Sequence, residues 1–140
     1  MNKAILLSGG MDSISLAYWQ RPSIAFTVDY GQLAAETEIR VSKTIADILK
    51  IEHHVIIANC SSLGSGDLLN KASLAVAPSS EWWPYRNQLL VTLALMKAIK
   101  LDVSELMIAS VKSDGFHKDG TSQFYDYLNQ LVYYQEGNIS

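Results

Sequence analysis

The chain has 140 residues and a formal net charge of −3, with 49% hydrophobic and 18% charged residues. This length and composition are typical of one globular domain with a full core, and an acidic chain is not expected to bind nucleic acid. The single cysteine, Cys60, excludes an internal disulfide and a multi-cysteine zinc site. No apolar run approaches the roughly 18 residues of a membrane span and no signal peptide opens the chain, so we expect a cytoplasmic protein.

Apolar and polar segments alternate along the chain as strands and helices do in an α/β domain. Strands are predicted at residues 4–7, 23–29, 54–57 and 105–109. Helices are predicted at about residues 14–19, 33–50, 87–100 and 121–134. We therefore predict an α/β fold with a doubly wound parallel sheet of four to five strands, helices on both faces, and a ligand at the carboxyl ends of the strands.

Two segments depart from this regular pattern. Residues 59–80 are polar and lack a clear period, so we expect a lid, a small helix or a mobile segment there. The chain ends at Ile139 and Ser140, where a fifth strand is expected to begin. We therefore expect residues 1–140 to be a single domain that is shortened or truncated at its C-terminal end.

The first strand runs directly into the polar loop Ser8-Gly9-Gly10-Met11-Asp12-Ser13. Paired glycines allow a close approach of backbone amides to an anion, and the following helix adds its positive end. The two serines can donate hydroxyl protons to phosphate, and Asp12 is expected to contact Mg²⁺ because a carboxylate beside phosphate needs a cation. Asp12 or Ser13 can also cap the helix. The alternative is an ordinary strand-to-helix turn; a Walker A loop is excluded because no Lys-Ser/Thr pair follows the glycines.

Polar residues also follow the second strand and precede the third long helix. After strand two, Asp29-Tyr30-Gly31-Gln32 suggests that the backbone of residues 26–28 reads an adenine edge while Tyr30 stacks on a ring; a helix cap at Asp29 with a turn at Gly31 is the alternative. In Trp82-Trp83-Pro84-Tyr85-Arg86-Asn87, the arginine at a helix start favours a bound phosphate, and Asn87 can cap the helix or bind a ligand. The tryptophans are expected to pack in the core.

A loop rich in charge, residues 112–120, follows the fourth strand. Lys112 can reach a phosphate, and Asp114 or Asp119 can bind Mg²⁺ or a polar substrate. A solvated surface loop remains the alternative, and His117 alone is weak evidence for a proton carrier.

Four of these motifs together resemble a known family. Residues 8–13 match the SGGxDS signature of the PP-loop ATP pyrophosphatases, and with DYGQ at 29–32, PYRN at 84–87 and the loop at 114–124 the chain resembles the 7-cyano-7-deazaguanine synthase family. The resemblance implies an adenine nucleotide alpha-hydrolase-like fold and a homodimer. It also implies an enzyme of queuosine biosynthesis that uses ATP and Mg²⁺ to adenylate a carboxylate, releases pyrophosphate, and forms an amide and then a nitrile with ammonia.

The motifs, taken together with the resemblance, lead to expected roles for particular residues. Asp12, Arg86 and Lys112 are expected to be catalytic, with Asp12 also holding Mg²⁺. Asp114, Phe116 and Asp119 are expected to contact the substrate. The residues expected to bind ATP are Ser8, Gly9, Gly10, Met11, Ser13, Val28, Tyr30 and Asn87.

Three departures from that family limit what is carried over. The chain lacks the family's zinc-binding cysteines, Leu33 replaces a basic residue after DYGQ, and residues 115–118 replace the family's substrate loop. The ATP chemistry is therefore expected, whereas the acid is left open and can belong to a small molecule, a peptide or a protein. The other readings are a non-catalytic ATP-binding subunit or sensor and, less compatible with the acidic composition, a tRNA-thiolating enzyme.

Overall fold

The computed structural model describes residues 1–64, 83, 85–109 and 118–140. Within these ranges the strands are β1 (Asn2–Leu6), β2 (Ile24–Asp29), β3 (Glu52–Ile57) and β4 (Val103–Met107). The helices are α1 (Met11–Gln20), α2 (Ala35–Leu49), α3 (Arg86–Ala98) and α4 (Ser122–Tyr133). The predicted alternation is confirmed, although the strand predicted at 105–109 begins and ends two residues earlier. Most of the predicted lid segment lies outside the described residues.

The strands form one parallel sheet in the order β3-β2-β1-β4. The chain passes from β1 outward through β2 to β3, and then returns to pair β4 with the other side of β1. The strand order therefore reverses at β1. In parallel sheets, the carboxyl ends of the strands at such a reversal form the crevice that receives a ligand.

Helices cover both faces of the sheet, as predicted. Successive residues of a strand point to opposite faces, so Ala4 and Ile5 of β1 enter different cores. One core joins β1 and β2 to α1 and α2 through Ile5, Leu7, Ala17, Ala25, Ala46 and Ile51. The other joins the sheet to α3 through Ala4, Ile24, Phe26, Ala94, Ala98, Val103 and Ile139. Alanines at the contact points let the helix backbones approach the sheet closely.

Each return from a helix to the next strand passes through a left-handed residue that is not glycine. These residues are Arg21 (φ 48°) after α1, Lys50 (φ 58°) after α2 and Asp102 (φ 54°) after α3 and a short 3₁₀ turn. A left-handed residue after the last turn redirects the chain and lets its N–H bond to the open carbonyls of the helix; Arg21 N, for example, donates to Ala17 O at 2.9 Å.

The C-terminal residues lie against the outer edge of β4. Ile139 is buried in the α3-side core. Ser140 N donates to Ser104 O at 3.2 Å, and Leu106 N donates to Ser140 O at 2.8 Å. This pair of bonds is the pattern of a parallel ladder, so the backbone pairs where a fifth strand was predicted to begin. Among the helices of the described ranges, none has the length and apolar character needed to cross a membrane.

Candidate functional site

An open cavity of about 540 Å³ lies at the carboxyl ends of β1 and β2. Its walls come from the loop after β1, the last residues of β2, the beginnings of α2 and α3, and Ile108 and Ala109 after β4. This is the position that the reversal of strand order selects for a ligand. The cavity brings together many of the residues predicted from the sequence, namely Ser8, Gly9, Gly10, Met11, Asp12, Ser13, Val28, Tyr30, Arg86 and Asn87.

The loop after β1 is held by its own serines. Ser13 Oγ accepts a hydrogen bond from Ser8 N at 3.2 Å and donates to Gly10 O at 3.0 Å. The N-cap of α1 is Gly10, with no side-chain capping bond. The expectation that Asp12 or Ser13 caps the helix is therefore wrong, because the Ser13 hydroxyl is turned inward to bind the loop backbone.

The N-terminus of α1 fits a phosphate group. Within the described part of the chain, the backbone N–H groups of Met11, Asp12 and Ser13 have no acceptor, and they begin the helix at the cavity wall. Gly9 has φ 82°, and a Cβ there would lie 3.3 Å from Glu38 O, so the close turn requires glycine. Gly10 has an ordinary φ of −79°, and only the side-chain oxygen of Ser8 lies near the place of its missing Cβ.

The environment of Asp12 fits a cation that is shared with phosphate. Its exposed carboxylate lies in the first turn of α1 at the cavity wall. No group of three or more His, Cys, Asp or Glu residues suited to a metal occurs among the described residues. Mg²⁺ commonly binds proteins through one or two carboxylates and takes its other ligands from water and phosphate. The donor set at Asp12 is compatible with that mode of binding.

The DYGQ segment forms a compact turn around Gln32. Asp29 Oδ1 accepts a hydrogen bond from Gly31 N at 3.1 Å, and Gly31 has φ 98°. A Cβ on Gly31 would lie 2.7 Å from Asn59 Oδ1, so this turn also requires glycine. The turn at Gly31 is confirmed, whereas a helix cap at Asp29 is wrong because α2 begins only at Ala35.

Gln32 and Glu38 are two residues of this region to which the sequence analysis assigned no role. The buried Gln32 side chain accepts from Tyr30 N at 2.9 Å and donates to Val28 O at 3.1 Å and to Glu38 Oε2 at 2.9 Å. Glu38 lines the cavity. Burial raises the pKa of Glu38, while the bond from Gln32 and the charge of Arg86 act in the opposite direction. No sequence signal marks Glu38, because its importance comes from a tertiary contact.

Arg86 begins α3 and faces Tyr30 and Glu38. Burial raises the pKa of the Tyr30 hydroxyl, and the positive charge of Arg86 acts in the opposite direction. No carboxylate in the described ranges forms an ion pair with Arg86. Tyr30 is 5% exposed and meets Trp83 edge to face at 4.8 Å between ring centroids. The packing role of Trp83 is confirmed, and ring stacking of Tyr30 on a ligand stays a prediction.

Asn87 and Asp119 connect the start of α3 to the turn before α4. Asn87 N donates to Asp119 Oδ2 at 3.3 Å, and Asn87 Nδ2 donates to Asp119 O at 2.9 Å. The N-cap of α3 is Tyr85, so Asn87 does not cap its own helix. Asp119 is not among the residues that line the cavity, and its predicted substrate contact stays a prediction. Lys112, Asp114 and Phe116 lie outside the described residues.

Comparisons with known proteins identify the family independently of this geometry. Residues 3–139 match the family model described as Queuosine biosynthesis protein QueC. The chain belongs to the QueC family. It is 28% identical to the 7-cyano-7-deazaguanine synthase of Methanocaldococcus jannaschii, with 96% of this chain and 66% of that protein aligned. The corresponding proteins of Desulforudis audaxviator and Carboxydothermus hydrogenoformans are each 30% identical, over 96% and 99% of this chain and 70% and 74% of their own lengths.

The match to the QueC family confirms the resemblance drawn from the four motifs. It covers nearly the whole chain, whereas the chain spans about two thirds of the length of the curated relatives it matches. In this QueC-family chain the cavity lies at the carboxyl ends of β1 and β2.

Proposed function

We propose that this chain is an ATP-dependent adenylating enzyme of the 7-cyano-7-deazaguanine synthase type, with ATP bound at the carboxyl ends of β1 and β2. The observation that carries the proposal is the row of open amides at residues 11–13, which shares a cavity with Arg86. Both features suit a phosphate chain, because backbone amides bind its oxygens and a guanidinium neutralises its charge. The names of the relatives support a nitrile-forming synthase as the family activity.

In this proposal the loop of residues 8–13 holds the β and γ phosphates, and Arg86 faces the α phosphate. Asp12 would hold Mg²⁺, which screens the phosphate charge when it is bound. The backbone near Val28 and the ring of Tyr30 would border the adenine, and Lys112 would add positive charge. Because no side chain acts as a nucleophile, most of the rate would come from placing the acid in line with the α phosphorus.

The proposed reaction forms one bond and breaks another at the α phosphorus. An oxygen of the substrate carboxylate bonds to that phosphorus while the bond to the bridging oxygen breaks, and pyrophosphate leaves with both electrons of that bond. Ammonia or another nitrogen donor then displaces AMP to give an amide, which a second adenylation can dehydrate to a nitrile. Asp114, Phe116 and Asp119 are proposed to contact the acid. A cytoplasmic homodimer in which residues 1–140 act as one ATP-binding domain belongs to the same proposal.

The test is product analysis after incubation with ATP, Mg²⁺, ammonia and a set of carboxylic acids that includes 7-carboxy-7-deazaguanine. AMP and pyrophosphate are expected, and Asp12→Asn should reduce their formation about a hundredfold through lost charge stabilisation. Asp126→Asn, at an exposed position on α4, is the matched control and should leave turnover unchanged. ATP binding with no product would favour a non-catalytic subunit or sensor, and ADP with phosphate would contradict the proposed loop chemistry.

A further inference from the structure

The peptide group between Leu7 and Ser8 is hydrogen-bonded at both ends by side chains from three elements. Its carbonyl oxygen accepts from Thr27 Oγ1 of β2 at 2.7 Å and from Ser42 Oγ of α2 at 3.2 Å. Its N–H donates to Ser13 Oγ of α1 at 3.2 Å. We call Thr27, Ser42 and Ser13 the peptide clamp. The clamp fixes the orientation of the peptide that leads from β1 into the loop.

The clamp begins where the regular hydrogen bonding of the sheet stops. Leu7 N still donates to Phe26 O at 2.8 Å, as in a parallel ladder. The next carbonyl, that of Leu7, is bound by side chains instead. The clamp residues Thr27 and Ser42 are 1% and 0% exposed, respectively. Valine and alanine would fill these positions without burying a hydroxyl, so the hydroxyls are expected to serve this peptide in particular.

Thr27 is held in turn by His53 of β3. Thr27 Oγ1 and His53 Nε2 are 2.7 Å apart. Because the one proton of the Thr27 hydroxyl is donated to Leu7 O, His53 must donate its Nε2–H to Thr27 Oγ1. The hydroxyl is thus fixed as a donor to Leu7. This bond extends the clamp from the loop to the edge of the sheet.

We infer that Thr27 and Ser42 are positioning residues that orient the loop of residues 8–13 for the pyrophosphate part of ATP. The inference rests on the proposed function. The bonds continue from the clamp into the loop, because Ser13 Oγ also donates to Gly10 O at 3.0 Å. The amides that follow Gly10 are those left open toward the cavity. A loop that is oriented before the ligand arrives loses less entropy when it binds.

The test measures the Kd for pyrophosphate with Mg²⁺ by calorimetry, together with the unfolding free energy in urea. Thr27→Val keeps the shape and removes the hydroxyl, and we expect its Kd to rise about tenfold, the loss of about one buried hydrogen bond. Thr27→Ser keeps the hydroxyl and loses a methyl, so it should bind like the wild type while unfolding more easily. Thr44→Val, on the exposed side of α2, is the control.

The two variants of Thr27 distinguish a role in positioning the loop from an effect on the stability of the fold alone. A folded Thr27→Val protein with the wild-type Kd would overturn the inference, as would a Thr27→Ser protein that loses affinity in proportion to its stability. If Thr27→Val does not fold, Ser42→Ala provides the same comparison at the second donor, and faster hydrogen exchange of the Ser8 amide should accompany its weaker binding. If the wild type does not bind pyrophosphate, the proposed function itself is contradicted. If the wild type binds pyrophosphate and the folded Thr27→Val protein binds it equally well, only the inference about the clamp is contradicted.

Discussion

Gly9 and Gly10 are adjacent and look equivalent in the sequence, yet they have different roles in the backbone. Gly9 has the left-handed conformation and lies against Glu38 of α2, whereas Gly10 has a conformation open to any residue. Gly9→Ala should therefore lower the free energy of unfolding by about 1–2 kcal/mol. Gly10→Ala should change it by less than about 0.5 kcal/mol. Urea denaturation of the two variants measures this difference.

The same pair of variants reports on the ligand. If phosphate approaches the loop backbone as proposed, Gly10→Ala should weaken pyrophosphate binding although the protein is as stable as the wild type. Equal stability losses in both variants would contradict the described loop geometry.

Glu38 should make stability depend on pH. Burial raises its folded pKa above the ordinary value of 4.5, so the folded protein binds this proton more tightly than the unfolded chain does. The charged form therefore costs stability above the folded pKa, and the cost disappears below about pH 4.5. Glu38→Gln keeps an oxygen acceptor for Gln32 and should be more stable than the wild type near pH 7.

The advantage of Glu38→Gln should shrink as the pH falls and vanish below the unfolded pKa. Urea denaturation at a series of pH values measures it, with the exposed Glu36→Gln on the same helix as the control. A constant difference between Glu38→Gln and the wild type across that range would show that the Glu38 carboxyl has no raised pKa.

At the scale of single residues, the sequence predicted the position of the loop at residues 8–13 but not the side chains that hold it. The motif SGGMDS carries its chemistry in consecutive residues, so it can be interpreted without a fold. The roles of Gln32 and Glu38 depend on a bond between a turn and the helix that follows it. The role of Ser42 depends on a bond to a residue 35 positions earlier. No local pattern contains such information.

At the scale of elements, α3 depends on a residue that is distant in sequence for its N-terminus. Tyr85, its N-cap, has φ 56° and provides no side-chain capping bond. Asp119 supplies that bond to Asn87 N instead. Asp119→Ala should lower the unfolding free energy by about 1 kcal/mol and weaken ATP binding, because Arg86 lies in the same turn. Urea denaturation and ATP titration measure the two effects.

Two variants give the comparison for Asp119. Asp119→Asn keeps an acceptor oxygen and should retain most of the stability, and the exposed Asp126→Ala should have little effect on either quantity. Loss of turnover in Asp119→Ala with normal stability and ATP affinity would instead support the substrate contact predicted from the sequence.

The presence and order of the elements were predictable, whereas some bounds were not: α1, predicted at about residues 14–19, is Met11–Gln20, and β4, predicted at 105–109, is Val103–Met107. The α4 helix begins where its N-cap Thr121 suggests, since Thr121 Oγ1 accepts from Phe124 N at 3.2 Å. The α1 helix shows the limit of this approach. Both Asp12 and Ser13 are residues that commonly cap helices, but the helix begins earlier, at Met11, and the Ser13 hydroxyl binds the loop backbone.

At the scale of the molecule, alternating strands and helices were sufficient to predict a parallel sheet covered on both faces. The strand order β3-β2-β1-β4 was not predicted. Neither the composition of the strands nor the length of the helices indicates beside which strand β4 will pair. That information lies in contacts between segments that are distant in sequence, such as the pairing of Ala4 of β1 with Leu106 of β4.

Ile139 should contribute to the stability of the whole domain. It is 2% exposed and packs with residues of β1, β2, α3 and β4. Ile139→Ala should lower the unfolding free energy by about 2–5 kcal/mol, whereas Ile48→Ala, at a position 68% exposed, should cost far less. Thermal and urea unfolding measure both. Similar losses in the two variants would contradict the packing of the C-terminal residues.

The left-handed residues Arg21, Lys50 and Asp102 have a consequence for how this protein can change. Each adopts a conformation that disfavours a side chain by about 1–2 kcal/mol and that glycine adopts freely. The domain thus has sites, away from the cavity, where a single change to glycine can raise its heat tolerance. Such changes could offset the loss of stability that substitutions in the cavity often cause when they are made to bind another ligand.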